Sequence, residues 1–313
     1  MRPVALFLLG AALAGAAAPV PVWIDTDPSV APGGKEIDDG VALLQAFASP
    51  ELRIHGVSIV FGNAGLPEAT RIGRDIVTRF GPKGLAVHPG AASAAMLGVE
   101  TAASRALARA LRRQRMTILV LGPATNVATV LKNHPELAGR MDAIIAVAGR
   151  RPGQRFTAGP KQQMPFRDLN FELDPQAFQV ILDAKVPLTL APWEISSKVW
   201  MTAADLAAGT TPGLAWLRTP ALDWLALWKN QFGAEGFNPF DALAVGVIVD
   251  RQDLICETLA ARIEQAPSDT SSAPENKPYL LVRSEPGNGR AITYCYDVKP
   301  VFKDHLLGRL RAK

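Results

Sequence analysis

Four carboxylates crowd one short stretch near the start of the chain: Asp25, Asp27, Asp38 and Asp39. They lie between an apolar run, Pro21 to Ile24, that reads as a buried strand, and a second run, Val41 to Phe47, that reads as a helix. Acids released at the C-terminal end of a strand in an open parallel sheet stand where such sheets bind ligands. Carboxylates packed this closely repel one another and raise each other's pKa unless a cation offsets them. A hard divalent ion held by oxygen ligands, Ca²⁺ or Mg²⁺, is the simplest resolution. Taken singly, Asp25 and Asp27 would pass as turn formers and Asp38 as a helix N-cap. It is the grouping that calls for chemistry.

Further polar residues fall at other strand ends: Asn63, Thr125, Asp168, Asn170 and Asp241. Nearly all belong to separate strand-to-helix turns, so a parallel sheet would bring them to one rim with Asp27, Asp38 and Asp39. No serine or cysteine nucleophile motif and no glycine-rich phosphate loop accompanies them. The histidines, at 55, 88, 134 and 305, are remote from these turns and read as surface or packing residues. What remains is a set of carboxylates, amides and a backbone carbonyl, suited to a hard cation and a hydroxyl-rich ligand such as a sugar.

The elements that must position these residues alternate between strand-like and helix-like runs for most of the length. This predicts an α/β fold: an open, mostly parallel, Rossmann-like sheet with helices on both faces and a small β-rich part at the C-terminal end. Expected strands are Arg53–Val60, Leu85–His88, Thr117–Leu121, Ala143–Ala148 and Val186–Leu190, then Thr258–Ile263, Tyr279–Val282 and Ile292–Tyr296. Asp174-Pro175 predicts a capped helix start. Arg150–Phe166 is polar and without period, a long loop of the kind that is usually functional. Thr202–Phe232 reads as helical, and Trp216, Trp224, Trp228 and Phe232 share one face, which suits core packing first and stacking on a substrate second. Gln265–Lys277 reads as a flexible polar loop.

At 313 residues, with 48% hydrophobic and 20% charged content, the chain can bury a sizeable core. A net charge of +4 without a run of Lys and Arg gives no sign of nucleic-acid binding. Residues 1 to 18 combine Met1-Arg2, an apolar run from Val4 to Leu13 and a small-residue zone at Ala14–Ala18, the pattern of a cleaved signal peptide; a retained N-terminal anchor is the competing reading. Residues 19–313 then form a single domain, exported to the periplasm or secreted, with no stable membrane association after cleavage. In that setting Cys256 and Cys295 are either bridged or two buried thiols.

The motifs in order resemble the inosine–uridine-preferring nucleoside hydrolase family. Asp25-Thr26-Asp27-Pro28 with Asp38-Asp39 matches the two halves of its DxDPGxDD, and Phe61-Gly62-Asn63 is like its VGN. Leu121-Gly122-Pro123-Ala124-Thr125-Asn126 is close to its LGPxTN, Asp168-Leu169-Asn170-Phe171 with Asp174-Pro175 to its EFNxxxDP, and Phe240-Asp241 to its HD. The resemblance implies the nucleoside hydrolase fold and Ca²⁺-dependent hydrolysis of the N-glycosidic bond of ribonucleosides or related N-ribosides. It implies Asp27 as general base and Ca²⁺ ligand, with Asp39, the Thr125 carbonyl and Asp241 completing the metal's protein ligands. Asp38 and Asn170 would hold the ribose 2′- and 3′-hydroxyls, Gln162 and Asp168 would face the 5′-hydroxyl, and Asn63 would support the site. The partner is a small nucleoside or N-riboside, and a homodimer or homotetramer is implied. The chain departs from the family in three ways: Pro28–Ile37 lengthens the link between Asp27 and the paired acids and brings in Glu36 as a candidate ligand; Phe240 stands where the family has His; and Asp168 stands where it has Glu. Phe240 motivates the alternative of a non-catalytic or weakly catalytic riboside-binding protein on the same scaffold.

Overall fold

The β-branched runs of the sequence become strands of one sheet. The computed structural model describes residues 18–272, 275–285, 287 and 289–312; the signal peptide expected over 1–18 lies outside them but for its last residue. The strands are β1 (Val20–Thr26), β2 (Leu52–Ile59), β3 (Val87–Pro89), β4 (Met116–Val120), β5 (Met141–Ala146), β6 (Leu188–Leu190), β7 (Leu254–Pro267), β8 (Asn276–Arg283) and β9 (Arg290–Val298). Their spatial order is β3-β2-β1-β4-β5-β6-β9-β7-β8. Pairing is parallel from β3 through β6 to β9 and antiparallel where β7 joins β9 and β8. The expected α/β architecture is therefore observed, with the C-terminal strands continuing the same sheet.

Strand order reverses around β1, which lies between β2 and β4. That is the switch point at which crossover connections leave in opposite directions and a crevice opens beyond the strand ends. Successive residues of β1 serve opposite faces: Ile24 packs into one core layer and Trp23 into the other. Both sheet faces are covered, so β4, with all five residues buried, reads as a continuous apolar run.

Helix ends follow the local chemistry. Asp174 accepts a hydrogen bond from the Ala177 N–H, with Pro175 as the first residue of the helix Pro175–Asp183. The stretch expected as one helix over Thr202–Phe232 is two, Ala203–Ala207 and Pro212–Phe232. The break is local: Thr211 caps the second helix by accepting from Leu214 N–H, and Pro212 cannot extend the first. The loop expected over Gln265–Lys277 is shorter than its polarity suggested, because Gln265 pairs with Pro278, Ala266 with Lys277 and Pro267 with Asn276. This hairpin is solvated on one side, and hydrogen bonding carries its polar residues as strand. Cys256 and Cys295 face each other across β7 and β9 and are joined as a disulfide.

Candidate active site

The carboxylates converge at the rim beyond β1 and β4. Asp25 and Thr26 end β1, and Asp27 follows it. Asp38 and Asp39 open the helix Asp38–Phe47, and Asp241 lies in the first turn of the helix Phe240–Val249. Two helix N-termini thus point their unsatisfied N–H groups at the same place, which favours negative charge there. Carboxylate oxygens of Asp38, Asp39 and Asp241 lie within 4.8 Å of one another, and all three residues are buried.

The Asp27 carboxylate, fully buried, is gripped from one side. Its Oδ2 accepts the Asn63 N–H at 2.8 Å, and its backbone N–H donates to Asp39 Oδ1 at 3.2 Å. Asp39 Oδ1 also accepts from the Thr26 hydroxyl. Asp27 Oδ1 and Asp39 Oδ2 have no hydrogen-bond partner although both are buried. Glycine is required around them: a Cβ on Gly62 would lie 1.8 Å from Asp27 Oδ2, and one on Gly122 2.8 Å from Asp27 Oδ1. Behind them, Asp25 Oδ1 accepts from the Ser58 hydroxyl and from Asn126 Nδ2 at 2.8 Å, so the first Asp of the motif organises the floor.

Burial pushes the pKa of every one of these acids up, and repulsion between them adds to it at Asp27, Glu36, Asp38 and Asp241. Asp27, Asp38 and Asp241 are held well above the usual carboxylate range, by desolvation first. Asp39 is pushed up to about 6, desolvation outweighing its hydrogen bonds from Thr26 and Asp27 N–H. Glu36, carried in by the loop from Pro28 to Ile37, is pushed up to about 7 by desolvation and by the charge of Asp39. Unpartnered buried oxygens, an all-oxygen donor set and repelling acids together fit a hard cation, which would hold all of these groups ionised.

Beside the acids is a cavity of about 270 Å³. Glu36, Asp38, Asn63, Asp168, Asn170 and Asp241 line it. Asn170 is aimed by its own amide: Nδ2 donates to the carbonyls of Leu121 (2.8 Å) and Val147 (3.1 Å), the residues that directly follow β4 and β5. Asp168 Oδ2 accepts the Gly149 N–H at 2.8 Å, and burial raises it to about 6 despite the nearby Arg150. Arg150, itself buried, pairs with Asp269 at 2.6 Å and lies 3.9 Å over the Phe156 ring, tying the cavity wall to the β7–β8 hairpin.

The expected residues therefore meet, with differences. Asp27 stands outside the group formed by Asp38, Asp39 and Asp241, because its carboxylate turns toward the Asn63 N–H and the two glycines. Asp38, read from the sequence as a ribose ligand, belongs to the carboxylate group. Thr125 is buried at the start of the helix Thr125–Asn133, its hydroxyl donating to Asp174 at 2.5 Å. Gln162 does not line the cavity: its amide is consumed within its own loop by Phe156 O, Met164 O and the Ala158 N–H.

An aromatic wall was only partly legible. Trp224 and Trp228 line the cavity as well as packing. Phe156, Phe166 and Trp193 join them, with Phe156 and Trp193 stacked at 4.9 Å. The signal for the first two was aromatic residues inside an otherwise polar, aperiodic loop. Trp193 follows β6 at the same rim as the other strand ends. None of the histidines lines the cavity; His88 stacks on Trp23 and His305 pairs with Asp253. That last contact belongs to a second acidic group, Asp250 and Asp253, at the far end of the helix Phe240–Val249, where Arg309 already pairs with Asp250.

The model of the family described as inosine-uridine preferring nucleoside hydrolase matches residues 22–287. The chain belongs to that family. Among nucleoside hydrolases of known sequence, the pyrimidine-specific ribonucleoside hydrolase RihA of Salmonella agona is 26% identical over 214 residues, a match covering 60% of this chain and 64% of that protein. Two solved nucleoside hydrolases share the fold. A plant enzyme, PpNRh1, superposes with a TM-score of 0.76 at 19% identity, over 94% of this chain and 98% of its own. The inosine-uridine preferring nucleoside hydrolase of Bacillus anthracis superposes with 0.72 at 18% identity, over 94% and 100%.

Proposed function

We propose that this protein is a Ca²⁺-dependent N-ribosyl hydrolase, cleaving the N-glycosidic bond of a ribonucleoside or related N-riboside to give ribose and free base. The observation that carries the reading is the pair of open, buried carboxylate oxygens, Asp27 Oδ1 and Asp39 Oδ2, beside a cavity lined by Asp38 and Asn170. Asp27, Asp39 and Asp241 would hold the ion, with the Thr125 carbonyl as the neutral ligand that family resemblance implies. When bound, the ion lowers the pKa of a coordinated water and fixes sugar hydroxyls. Asp27 takes the proton as the water oxygen attacks C1′, and the C1′–N bond breaks with its electron pair leaving on the base. Asn170 and Asp38 hold ribose hydroxyls. The surrounding carboxylates stabilise the oxocarbenium-like charge at C1′.

Two further parts of the reading rest on other features. The N-terminal apolar run and the Cys256–Cys295 disulfide support export, since disulfides persist in oxidising compartments. Phe240 beside Asp241 favours, as a second reading, a protein that binds ribosides and turns them over weakly or not at all.

The test is ribose release by the purified protein from a riboside panel that includes 4-nitrophenyl riboside, with and without a chelator. The expected result is release that needs Ca²⁺ and falls at least about 1,000-fold in Asp27→Ala, the scale of losing a positioned base and a metal ligand together. Ca²⁺-dependent thermal stabilisation by ribose without any release would transfer the conclusion to the binding protein.

A further inference from the structure

Rings and carboxylates make up much of the cavity lining. Phe156, Phe166, Trp193, Trp224, Trp228 and Phe240 supply the rings, and Phe156 and Trp193 are stacked within 20° of parallel. Four carboxyl residues line the same space, Glu36, Asp38, Asp168 and Asp241, against one guanidinium, Arg167. Arg167 is half exposed and paired with Glu172 at 3.0 Å. No His, Lys, Tyr or Cys lines the cavity among the described residues. The residue beside Asp241 in the cavity lining is Phe240, which carries no proton to give.

A neutral base attached to ribose leaves as an anion unless something protonates it, and a positioned acid contributes about 10²- to 10⁴-fold to such a step. A heterocycle that is already cationic needs no acid: as water attacks C1′ and Asp27 takes the proton, the C1′–N electron pair returns to the ring and the base leaves neutral. Such a ring is also what aromatic faces and nearby carboxylates attract. Resting on the hydrolase reading above, we infer that the substrates this cavity suits are N-ribosides of positively charged heteroaromatic rings, an N-ribosylpyridinium or a ring-alkylated purine riboside. The wall of rings stacks on the base, and Glu36, brought in by the Pro28–Ile37 loop, supplies counter-charge at the cavity.

Two measurements on the Ca²⁺-loaded protein test this. Binding of 1-methylnicotinamide and of nicotinamide is compared by quenching of tryptophan fluorescence, and kcat/KM is compared for 7-methylguanosine and guanosine, with 4-nitrophenyl riboside as the control for hydrolysis itself. The cation is expected to bind roughly 3- to 30-fold tighter than its neutral parent, with most of that preference lost in Glu36→Gln. 7-Methylguanosine is expected to exceed guanosine by at least about 100-fold, and Phe240→His to narrow that ratio by raising turnover of guanosine. Equal binding of the two nicotinamides, or guanosine cleaved within tenfold of 7-methylguanosine, overturns the inference. Guanosine turnover that vanishes in Glu36→Gln or Asp168→Asn would likewise overturn it, by giving the leaving-group proton to that carboxyl. If 4-nitrophenyl riboside is not cleaved while the binding preference remains, the hydrolase reading falls and the cationic subsite stands.

Discussion

Asp27 and Asp39 each keep one buried oxygen with no donor facing it, and this has a consequence for stability as well as chemistry. An acid whose folded pKa is raised binds its proton more tightly when folded, so its contribution to stability is full below the unfolded value near 4 and is lost as pH rises through the folded value. Asp39 rises to about 6 and Asp25 and Glu36 to about 7, while Asp27, Asp38 and Asp241 rise in the same direction. The carboxylates shifted the other way, Glu51, Asp205, Glu264 and Asp269, are ionised in both states above pH 5 and do not offset this, while His55 and His88, lowered by burial, work against it as two groups opposed to six. In a chelator, the melting temperature is therefore expected to fall between about pH 5 and pH 8. A cation that binds only the ionised native site reverses the loss, so the rise on adding Ca²⁺ should be larger at pH 8 than at pH 5. Melting curves at both pH values, with and without the ion, check this; a chelated protein equally stable at both would mean the acids do not titrate as a buried group.

Side chains this crowded can be held together only because the elements around them leave room. The turn after β2 and the turn after β4 approach the Asp27 carboxylate so closely that neither accepts a methyl group, Gly62 being the tighter. Gly62→Ala is expected to displace Asp27 and to abolish both ribose release and the Ca²⁺-induced rise in melting temperature, while the circular dichroism of the sheet and helices is kept. Loss of fold instead would make Gly62 a general packing residue. These turns also explain what the sequence could and could not convey. Strand ends rich in Asp and Asn were legible because a parallel sheet sends all its C-terminal ends to one rim. Asp25, Asp27, Asp38, Asp39, Asn170 and Asp241 were therefore located as neighbours from types and order alone. Side-chain directions were not legible: Gln162 sits in the expected loop, but nearby backbone groups within that loop satisfy its amide before the cavity can. Trp193 and Phe156 were overlooked because a stacked pair from two distant segments leaves no periodic trace in either.

Across the molecule, the sheet must hold that rim steady although its last three strands, β7, β8 and β9, are late in the chain and antiparallel. β9 is the connection, parallel to β6 on one side and antiparallel to β7 on the other. Its pairing with β6 is short, recorded at Thr189 with Thr293 and Leu190 with Tyr294, so most of its order comes from β7. The Cys256–Cys295 bridge ties β7 to β9 directly, closing a loop with a sequence separation of 39. Constraining the unfolded chain over a loop of that length stabilises the fold by about 4 kcal/mol in the chain-entropy model. The double variant Cys256→Ser with Cys295→Ser is therefore expected to lower unfolding free energy by about 2–4 kcal/mol, read from denaturant melts, with the m-value rising because the unfolded chain is no longer held compact by the crosslink. Because Cys256 and Cys295 do not line the cavity, riboside turnover at a temperature where the variant is folded should match that of the parent. Turnover that fell with stability still intact would instead show that tension between β7 and β9 reaches the β6 end of the rim, where Trp193 begins the wall of the cavity.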